Sequence, residues 1–309
     1  MKKHRFLIPL ILFVFVACSS APKRIMLVTE NTNFSYSQLE NANASIVEGK
    51  YARAYSLLSS AYNLALSVDN TELLCKIMLS GVVFKIACPN LAELIPATEL
   101  ENSAASKSFL TQTKEELLAS AKNLANRSNE KEKKSLSNLC VIYDVRVQLE
   151  NEKASSSELI SSQNEKTYLA MLETARSGIA KEPYYTAYLC RTKGDVCMAA
   201  GDFQNAQKNY AEAAKIHTKE RYLVEIGLDW YCLARSYSLG GKKNEALSAI
   251  QTALKYDKDA ENTAGIASDY LAYSKILLKG NPTEEEKKLS AELSASIVSE
   301  YAAVSSGCA

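Results

Sequence analysis

The sequence predicts an all-α protein in which pairs of antiparallel helices are stacked one after another. Glycine and proline are scarce, with 11 and 6 copies in 309 residues, whereas β-rich folds need more turn residues. Apolar residues make up 47% of the chain, enough to build a sizeable core. The same spacing of small and large apolar residues recurs along the chain, which is typical of repeat architectures. Together these observations predict about ten helices between Ser35 and Tyr301.

The amino-terminal segment has the pattern of a secretory signal. Residues 1–5 carry three fixed positive charges, and residues 6–16 are apolar apart from Pro9. A basic start, a short apolar run and a small residue before the cleavage point are typical of an exported protein. The apolar run is shorter than the roughly 20 residues that span a bilayer. Residues 1–17 are therefore predicted to be a signal peptide.

The four residues Phe15-Val16-Ala17-Cys18 resemble the lipobox of bacterial lipoproteins. The usual lipobox has leucine where Phe15 stands, and looser versions occur in some bacterial groups, spirochaetes among them. The resemblance implies that the Cys18 thiol is lipidated and that Cys18 becomes the first residue of the mature protein. Several acyl chains at one residue anchor a protein firmly, since each buried methylene adds about 0.8 kcal/mol. The alternative is an ordinary cleaved signal in which Cys18 is incidental.

The predicted domain boundaries follow from this reading. Residues 18–34 are mostly polar and are predicted to be the lipidated cysteine and a flexible tether. Residues 35–309 are predicted to form the helical domain, whose first repeated segment surrounds a turn at Gly49. Small residues there recur seven apart, with large apolar residues between them, so that two helices can cross closely. The positions are Gly49, Tyr51, Ala54, Leu58 and Ala61.

The segment between residues 70 and 181 contains further helices without a clear repeat. Apolar periodicity predicts a long helix that Pro89 stops, then a helix pair, and then a helix that ends before Pro183. A polar stretch before the last of these is predicted to be a loop. The predicted helices are 70–87, 112–126, 130–150 and 167–181, and the predicted loop is 151–164.

The two clearest repeats lie in the carboxyl-terminal half. The first has small residues at Gly194, Ala206 and Ala213, a turn glycine at Gly201, and an aromatic residue at Tyr210. The second repeats this pattern 40 residues later, from Trp230 to Ala253. With the segment around Gly49, these copies resemble the tetratricopeptide repeat (TPR). The resemblance implies helical hairpins stacked into a right-handed superhelix. The residues themselves predict a last helix pair at 266–278 and 283–301, with Thr283 as the N-cap of its second helix.

The residue inventory offers little for catalysis. His217 is the only histidine beyond the predicted signal, which disfavours histidine-cluster metal sites and most nucleophile–histidine pairs. We expect His217 to be an exposed residue of a link between helices. Neither GxGxxG nor GxxxxGK[ST] occurs, and Gly240-Gly241-Lys242-Lys243, which loosely resembles a phosphate-binding loop, is predicted to be the turn of a repeat. No enzyme activity, metal or cofactor is therefore predicted. Seven cysteines besides Cys18 occupy mainly apolar helical positions without a CxxC pair, and we expect them to stay mostly unpaired.

The charge balance excludes a general affinity for nucleic acid. The formal net charge is +1, and it becomes −2 without the three basic residues of the predicted signal. The TPR resemblance implies instead a concave, partner-binding face built from the first helix of each pair. Carried over position by position, that face holds Tyr188, Arg191, Asp195, Tyr231, Arg235 and Tyr270. Tyrosine and arginine are common at interface cores, and the arginines would suit an acidic segment or a carboxylate. Two alternatives stay open, namely tyrosines packed between repeats and an internal Arg191–Asp195 ion pair.

Two functions agree with these features. The first is a lipid-anchored scaffold that holds an envelope protein or peptide at a bacterial membrane, on the periplasmic face of the inner or outer membrane or at the cell surface. The second is an accessory subunit of a solute-uptake system, similar to the T component of TRAP transporters, which contacts a substrate-binding protein. An open groove would favour the scaffold, and an apolar tunnel would favour the uptake subunit.

Overall fold

The computed structural model describes residues 30–90, 111–156 and 159–300, and these residues form twelve α-helices and no strand. The all-α prediction is confirmed, with two helices more than the expected ten. The predicted signal peptide and Cys18 lie outside the described residues. In the described part, no helix is long and apolar enough to cross a membrane. The helices are α1 Glu30–Val47, α2 Tyr51–Ser67, α3 Thr71–Ala87, α4 Lys114–Arg127, α5 Glu130–Ser155, α6 Ser162–Ile179, α7 Pro183–Ala200, α8 Phe203–Glu220, α9 Leu223–Leu239, α10 Lys243–Asp259, α11 Thr263–Leu277 and α12 Glu284–Glu300.

Side-chain caps set the beginning of many of these helices. The Asn70 side chain accepts a hydrogen bond from the Leu73 amide at 2.9 Å, which satisfies a donor that the first turn of α3 leaves free. At α12, the predicted N-cap Thr283 accepts a hydrogen bond from the Glu286 amide, and the Glu286 carboxylate accepts one from the Thr283 amide. This reciprocal pair is a capping box. The prediction for Thr283 is therefore confirmed.

The turns inside three helix pairs share one backbone geometry. Gly49, Gly201 and Gly241 each have a positive φ, between 68° and 79°. Side chains rarely adopt this left-handed conformation, which explains glycine there. Twenty residues after each of these glycines, the turn that follows the second helix of the pair contains another residue with a positive φ. These residues are Asp69, Arg221 and Glu261. The same turn is thus built three times.

Consecutive helices pack against one another along the whole described chain. Helix α3 is buried on nearly every side, between α2, α4 and α5. Helix α1 packs on α2 and α3 and also contacts α9, which lies far along the sequence. This contact places the first helix against the first helix of a later pair. It shapes the candidate site.

Close helix crossings explain the small residues of the repeats. Ala206 and Ala213 of α8 are fully buried. Gly194 of α7 lies against the Tyr210 ring, where an added Cβ would stand 2.5 Å from a ring carbon. A methyl group therefore does not fit at Gly194 unless the buried ring moves.

The predicted loop at 151–164 is partly wrong. Helix α5 continues to Ser155, and α6 begins at Ser162 after a cap from Ser161. Glu152 explains the extension, because its carboxylate accepts hydrogen bonds from the Asn164 amide at 2.8 Å and from the Tyr168 hydroxyl at 2.5 Å. These contacts join the last turn of α5 to α6. The segment is polar, so its composition predicted a loop, whereas contacts with α6 stabilise the last turn of α5 as a helix.

Candidate functional site

An open cleft lies between α1 and the amino-terminal ends of α7 and α9. Its volume is about 350 Å³, within the range of small-ligand sites. Tyrosine dominates its wall, and acidic and basic side chains complete it. The residues that define it here are Tyr36, Glu40, Lys76, Tyr184, Tyr222 and Glu225.

The tyrosine rings of the cleft stand edge to face. Pro183 occupies the first position of α7, where its missing amide proton costs nothing, and it sets Tyr184 and Tyr185 at the mouth of the cleft. The Tyr184 ring centroid lies 5.3 Å from that of Tyr185 and 5.4 Å from that of Tyr222. Both pairs are T-shaped, the arrangement that aromatic quadrupoles prefer. Tyr36 of α1 lines the same cleft.

The one buried cation of the cleft wall is already neutralised. The Lys76 ammonium lies 2.7 Å from carboxylate oxygens of both Glu72 and Glu182, and 5.5 Å from the centroid of the Tyr185 ring. Burial disfavours its charged form, but the hydrogen bonds to Glu182 and Glu72 outweigh burial and raise the pKa of Lys76. The Ser135 hydroxyl donates to the other Glu182 oxygen at 3.0 Å. The Lys76 charge is thus satisfied within the protein.

Glu225, in contrast, has no counter-charge of its own. Only 6% of its surface is exposed, and it lines the cleft from the first turn of α9. Burial raises the pKa of its carboxyl to about 7, although the positive charge of Arg191 acts in the opposite direction. That charge is shared, because the Arg191 guanidinium is bonded to Asp229. Among the described residues, no ion pair satisfies the Glu225 carboxylate.

A buried polar network lies behind the cleft. Arg191 Nε donates to Asp229 Oδ1 at 2.6 Å, and Arg191 Nη2 donates to the Glu225 carbonyl oxygen at 3.1 Å. His217 Nδ1 lies 2.6 Å from Asp229 Oδ2. Burial lowers the pKa of His217, so its neutral ring donates from Nδ1 to the carboxylate. Asp229 thereby joins α7, α8 and α9.

The expectation that His217 is exposed is wrong. Only 1% of its surface is accessible, and its ring contacts Tyr184 and Tyr222 at centroid distances of 6.0 and 5.7 Å. Helix α8 continues to Glu220, so His217 is a helical residue and not part of a link. It lies one turn after the buried Ala213, on the face that packs inward. Extending the helical periodicity by one turn would have shown this.

The structure separates the residues that were predicted to form one partner-binding strip. Arg191 is buried, and its partner is Asp229, so neither the accessible strip nor the alternative Arg191–Asp195 ion pair is present. Asp195 instead pairs with Arg146 and accepts a hydrogen bond from the Tyr210 hydroxyl at 2.7 Å. Positions of α7 that were predicted to contact a partner are thus used for packing between helices of the protein itself.

The other predicted residues remain nearer the surface, with one exception. Tyr188 is buried and stacks on Tyr143 with ring centroids 5.1 Å apart. Tyr231 is half-buried and lines a second cavity, whereas Arg235 is exposed. Tyr270 is half-buried beneath the Lys258 ammonium, which lies 5.4 Å from its ring centroid. A binding role for these residues stays a prediction.

The second cavity, of about 220 Å³, contains two buried carboxyl groups. Asp257 Oδ1 accepts a hydrogen bond from the Asn262 side-chain amide at 2.9 Å, while neither carboxyl oxygen of Asp269 has a hydrogen-bond donor among the residues that the structure describes. Gly227 and Gly265 make room for the Asp257 carboxyl, because a Cβ at either would lie within 2.5 Å of it. Burial, followed by the charge of Asp257, raises the pKa of Asp269 to about 9. Sequence reasoning missed this pair, since its members are twelve residues apart on different helices.

One further group brings potential metal ligands together. Side-chain atoms of Glu165, Cys197 and Asp202 lie within 4.8 Å of one another. Asp202, however, is the N-cap of α8 and bonds the Asn205 amide through one oxygen and the Asn205 side chain through the other. Burial raises the pKa of Cys197 to about 12, which keeps its thiol protonated. Helix capping therefore accounts for the position of Asp202.

No protein-family model matches this chain, and no curated protein matches it.

Proposed function

We propose that the chain is a lipid-anchored scaffold of the bacterial envelope, whose TPR-type helical array holds a segment of a partner protein in the tyrosine-lined cleft. The cleft is the observation that carries this proposal, because an open, aromatic-walled cavity of about 350 Å³ accepts a side chain from outside. In this proposal residues 1–17 direct export and Cys18 carries the lipid. The array then stands away from the membrane on its tether.

The geometry of three helix pairs supports a TPR-type array. Their turn glycines share one left-handed conformation, and the small residues at the two crossing positions of each second helix are all fully buried. Those residues are Ala54 and Ala61 of α2, Ala206 and Ala213 of α8, and Ala246 and Ala253 of α10. Equal turns and equal crossings in separate pairs are what a repeat with stacked neighbours requires.

The position of the cleft supports partner binding. Helices α1, α7 and α9 are each the first helix of such a pair, and these three supply most of its wall. First helices form the concave face that the TPR resemblance implies for a partner. In this proposal the cleft belongs to that partner-binding face, although different side chains line it from those that position-by-position transfer selected.

Binding is also a better account of the site than catalysis. His217 and Asp229 have the geometry of an oriented base, yet the Nε2 atom of His217 has no hydrogen-bond partner among the described residues. The neighbours of its ring are the aromatic rings of Tyr184 and Tyr222. A nucleophile–histidine mechanism needs a hydroxyl or thiol within hydrogen-bond reach of that nitrogen.

A second candidate function is the accessory subunit of a solute-uptake system. The volume of the cleft favours it, since about 350 Å³ suits a small molecule as well as a side chain. Mass spectrometry of the native protein purified from its host separates the two. A small molecule retained at one copy per chain would favour the uptake subunit.

Site-specific photocrosslinking in intact cells tests the scaffold. A photoreactive residue at Glu40, which is exposed at the rim of the cleft, should capture one defined envelope protein. The matched control is Lys215, an exposed residue of α8 that does not line the cleft. Adducts at neither position, or the same adducts at both, would contradict partner binding in the cleft.

A further inference from the structure

We propose that the cleft recognises an alkylammonium group, supplied by a lysine side chain of a partner segment or by a free alkylamine. This inference rests on the proposed function, because it names the chemistry of the group that the cleft binds. Three features of the described residues carry it: the tyrosine wall, the unpaired carboxylate of Glu225, and the prior neutralisation of the nearby cations.

The tyrosine wall brings three aromatic rings to one cavity. Tyr36 of α1, Tyr184 of α7 and Tyr222, the residue directly before α9, converge on this cavity. The T-shaped contact between Tyr184 and Tyr222, with an interplanar angle of 67°, turns their ring planes in different directions around it. A cation held between such rings gains electrostatic attraction from each, and this is the recognition chemistry of aromatic cages for ammonium groups.

Glu225 supplies the charge that such a cage needs. Glu225 is 6% exposed and lines the same cavity as the three rings, and its carboxylate has no ion pair with a described residue. A buried carboxylate without an ion pair is costly, and burial raises the pKa of Glu225 to about 7 even though the charge of Arg191 and a backbone hydrogen bond act in the opposite direction. A bound ammonium would remove the cost directly by forming a charge-assisted hydrogen bond.

The basic side chains near the cleft do not provide that counter-charge. Lys76 is held between Glu72 and Glu182, at 2.7 Å from each. Arg191 is bonded through Nε to Asp229 and through Nη2 to the Glu225 carbonyl oxygen, behind the cleft wall. Lys181 is exposed at the rim. The carboxylate of Glu225 is therefore left for a group from outside.

The same arrangement disfavours the acidic segment that the sequence had suggested as a partner. That suggestion required the Arg191 guanidinium to face an incoming carboxylate. Arg191 is 7% exposed and its guanidinium is already bonded, whereas Glu225 lines the cleft that an incoming anion would enter. Like charges at a buried site repel strongly. The cleft thus selects for a cation and against an anion.

Titration with defined amines tests this chemistry without any partner protein. The probes are n-butylammonium chloride, with n-butanol as its neutral match, and the peptide acetyl-Gly-Lys-Gly-amide, with its side-chain-acetylated form as the match. Calorimetry or NMR on the purified protein at neutral pH should show saturable binding of both charged probes and much weaker binding of both neutral ones. Tighter binding of the lysyl peptide would assign the group to a partner segment. Binding of butylammonium alone would assign it to a free amine.

Two variants make the result specific to the cleft. Glu225→Gln keeps the shape and removes the charge, and it should weaken butylammonium binding about tenfold or more. Tyr222→Ala removes one ring and should weaken it roughly 3- to 30-fold. The matched control is Asp269→Asn, a buried carboxyl in the other cavity, which should leave binding unchanged. Circular dichroism establishes that each variant is folded.

The proposal is overturned if neither charged probe binds, if the neutral probes bind equally well, or if folded Glu225→Gln binds like the unmodified protein. These outcomes differ from failure of the scaffold itself. Crosslinking from Glu40 to a partner together with absent amine binding would retain the scaffold and reject the ammonium chemistry. Amine binding without any crosslinked partner would reject the scaffold and leave a small-amine site.

Discussion

Arg191 Nε donates a 2.6 Å hydrogen bond to Asp229 Oδ1, and the two side chains are 9% and 0% exposed. They join the first helices of two successive pairs, 38 residues apart in sequence. Asp229 also receives His217, so one carboxylate links three helices. A buried charge that is paired and bonded in this way specifies how the pairs stack, and its loss leaves an unsatisfied group in the interior.

Removing Arg191 should therefore destabilise the protein strongly. Arg191→Met keeps much of the side-chain volume but leaves the Asp229 charge without its main partner, at an expected cost of about 3–5 kcal/mol in the free energy of unfolding. Urea denaturation at neutral pH measures this. The matched control is Arg235→Met on α9, an exposed arginine whose replacement should change stability by less than about 0.5 kcal/mol. Equal stability of the two variants would show that the buried pair does not hold the stack.

The buried carboxyl pair should make stability depend on pH. The pKa of Asp269 is about 9 in the folded protein, above its ordinary value of 3.8. The folded state thus binds the proton more tightly, and the stabilisation is complete below about pH 4 and is lost as the pH rises towards 9. Asp257, whose pKa burial also raises, is the titratable group coupled to Asp269, and the Asn262 side-chain amide donates a hydrogen bond to Asp257.

Asp269→Asn should reduce this dependence. Between pH 5 and pH 8, the Tm of the unmodified protein should fall further than the Tm of the variant, because the variant has no carboxyl to ionise there. Asp259→Asn, at an exposed position of the same α10 end as Asp257, is the control and should follow the unmodified protein. Parallel Tm profiles for Asp269→Asn and the unmodified protein would contradict the raised pKa.

Overpacking tests the crossing within a helix pair. Ala206 is fully buried in α8, where α7 and α8 meet, so Ala206→Leu should destabilise by about 1–3 kcal/mol. Ala211→Leu is a matched control, since it makes the same change at an exposed position of the same helix. Thermal unfolding should show a lower Tm for Ala206→Leu alone. An unchanged Tm would mean that the predicted repeat register is wrong.

Lipidation is tested at Cys18. Cys18→Ala should abolish metabolic labelling with a palmitate analogue, because it removes the thiol that would be acylated, and the processed protein should no longer partition into detergent. Cys232→Ala serves as the control, since its half-buried thiol lies in α9, well within the helical domain, and its loss should leave labelling intact. Persistent labelling of the Cys18 variant would refute the lipoprotein assignment.

Local features of this fold could be predicted from the sequence. The N-cap Thr283, the turn glycines at Gly49, Gly201 and Gly241, and the small residues at helix crossings all follow from interactions within a few residues or within one helix pair. Helical periodicity and capping depend on such short-range geometry, and a single sequence carries them. The long α5 was underestimated because part of its stabilisation comes from α6.

The candidate site was decided by tertiary structure. A charged residue on the first helix of a pair can face a partner or the next pair, and only packing determined that Arg191 meets Asp229 and not Asp195. Likewise, α1 contacts α9, and Tyr36 of α1 lines the same cleft as Tyr184 and Glu225. Tyr36 is about 150 residues from Tyr184 in sequence and still farther from Glu225. Such contacts depend on the summed angles of every intervening turn. The sequence by itself therefore determined the helices and their pairing, whereas the stacking of the pairs determined which polar side chains are buried together and which line the cleft.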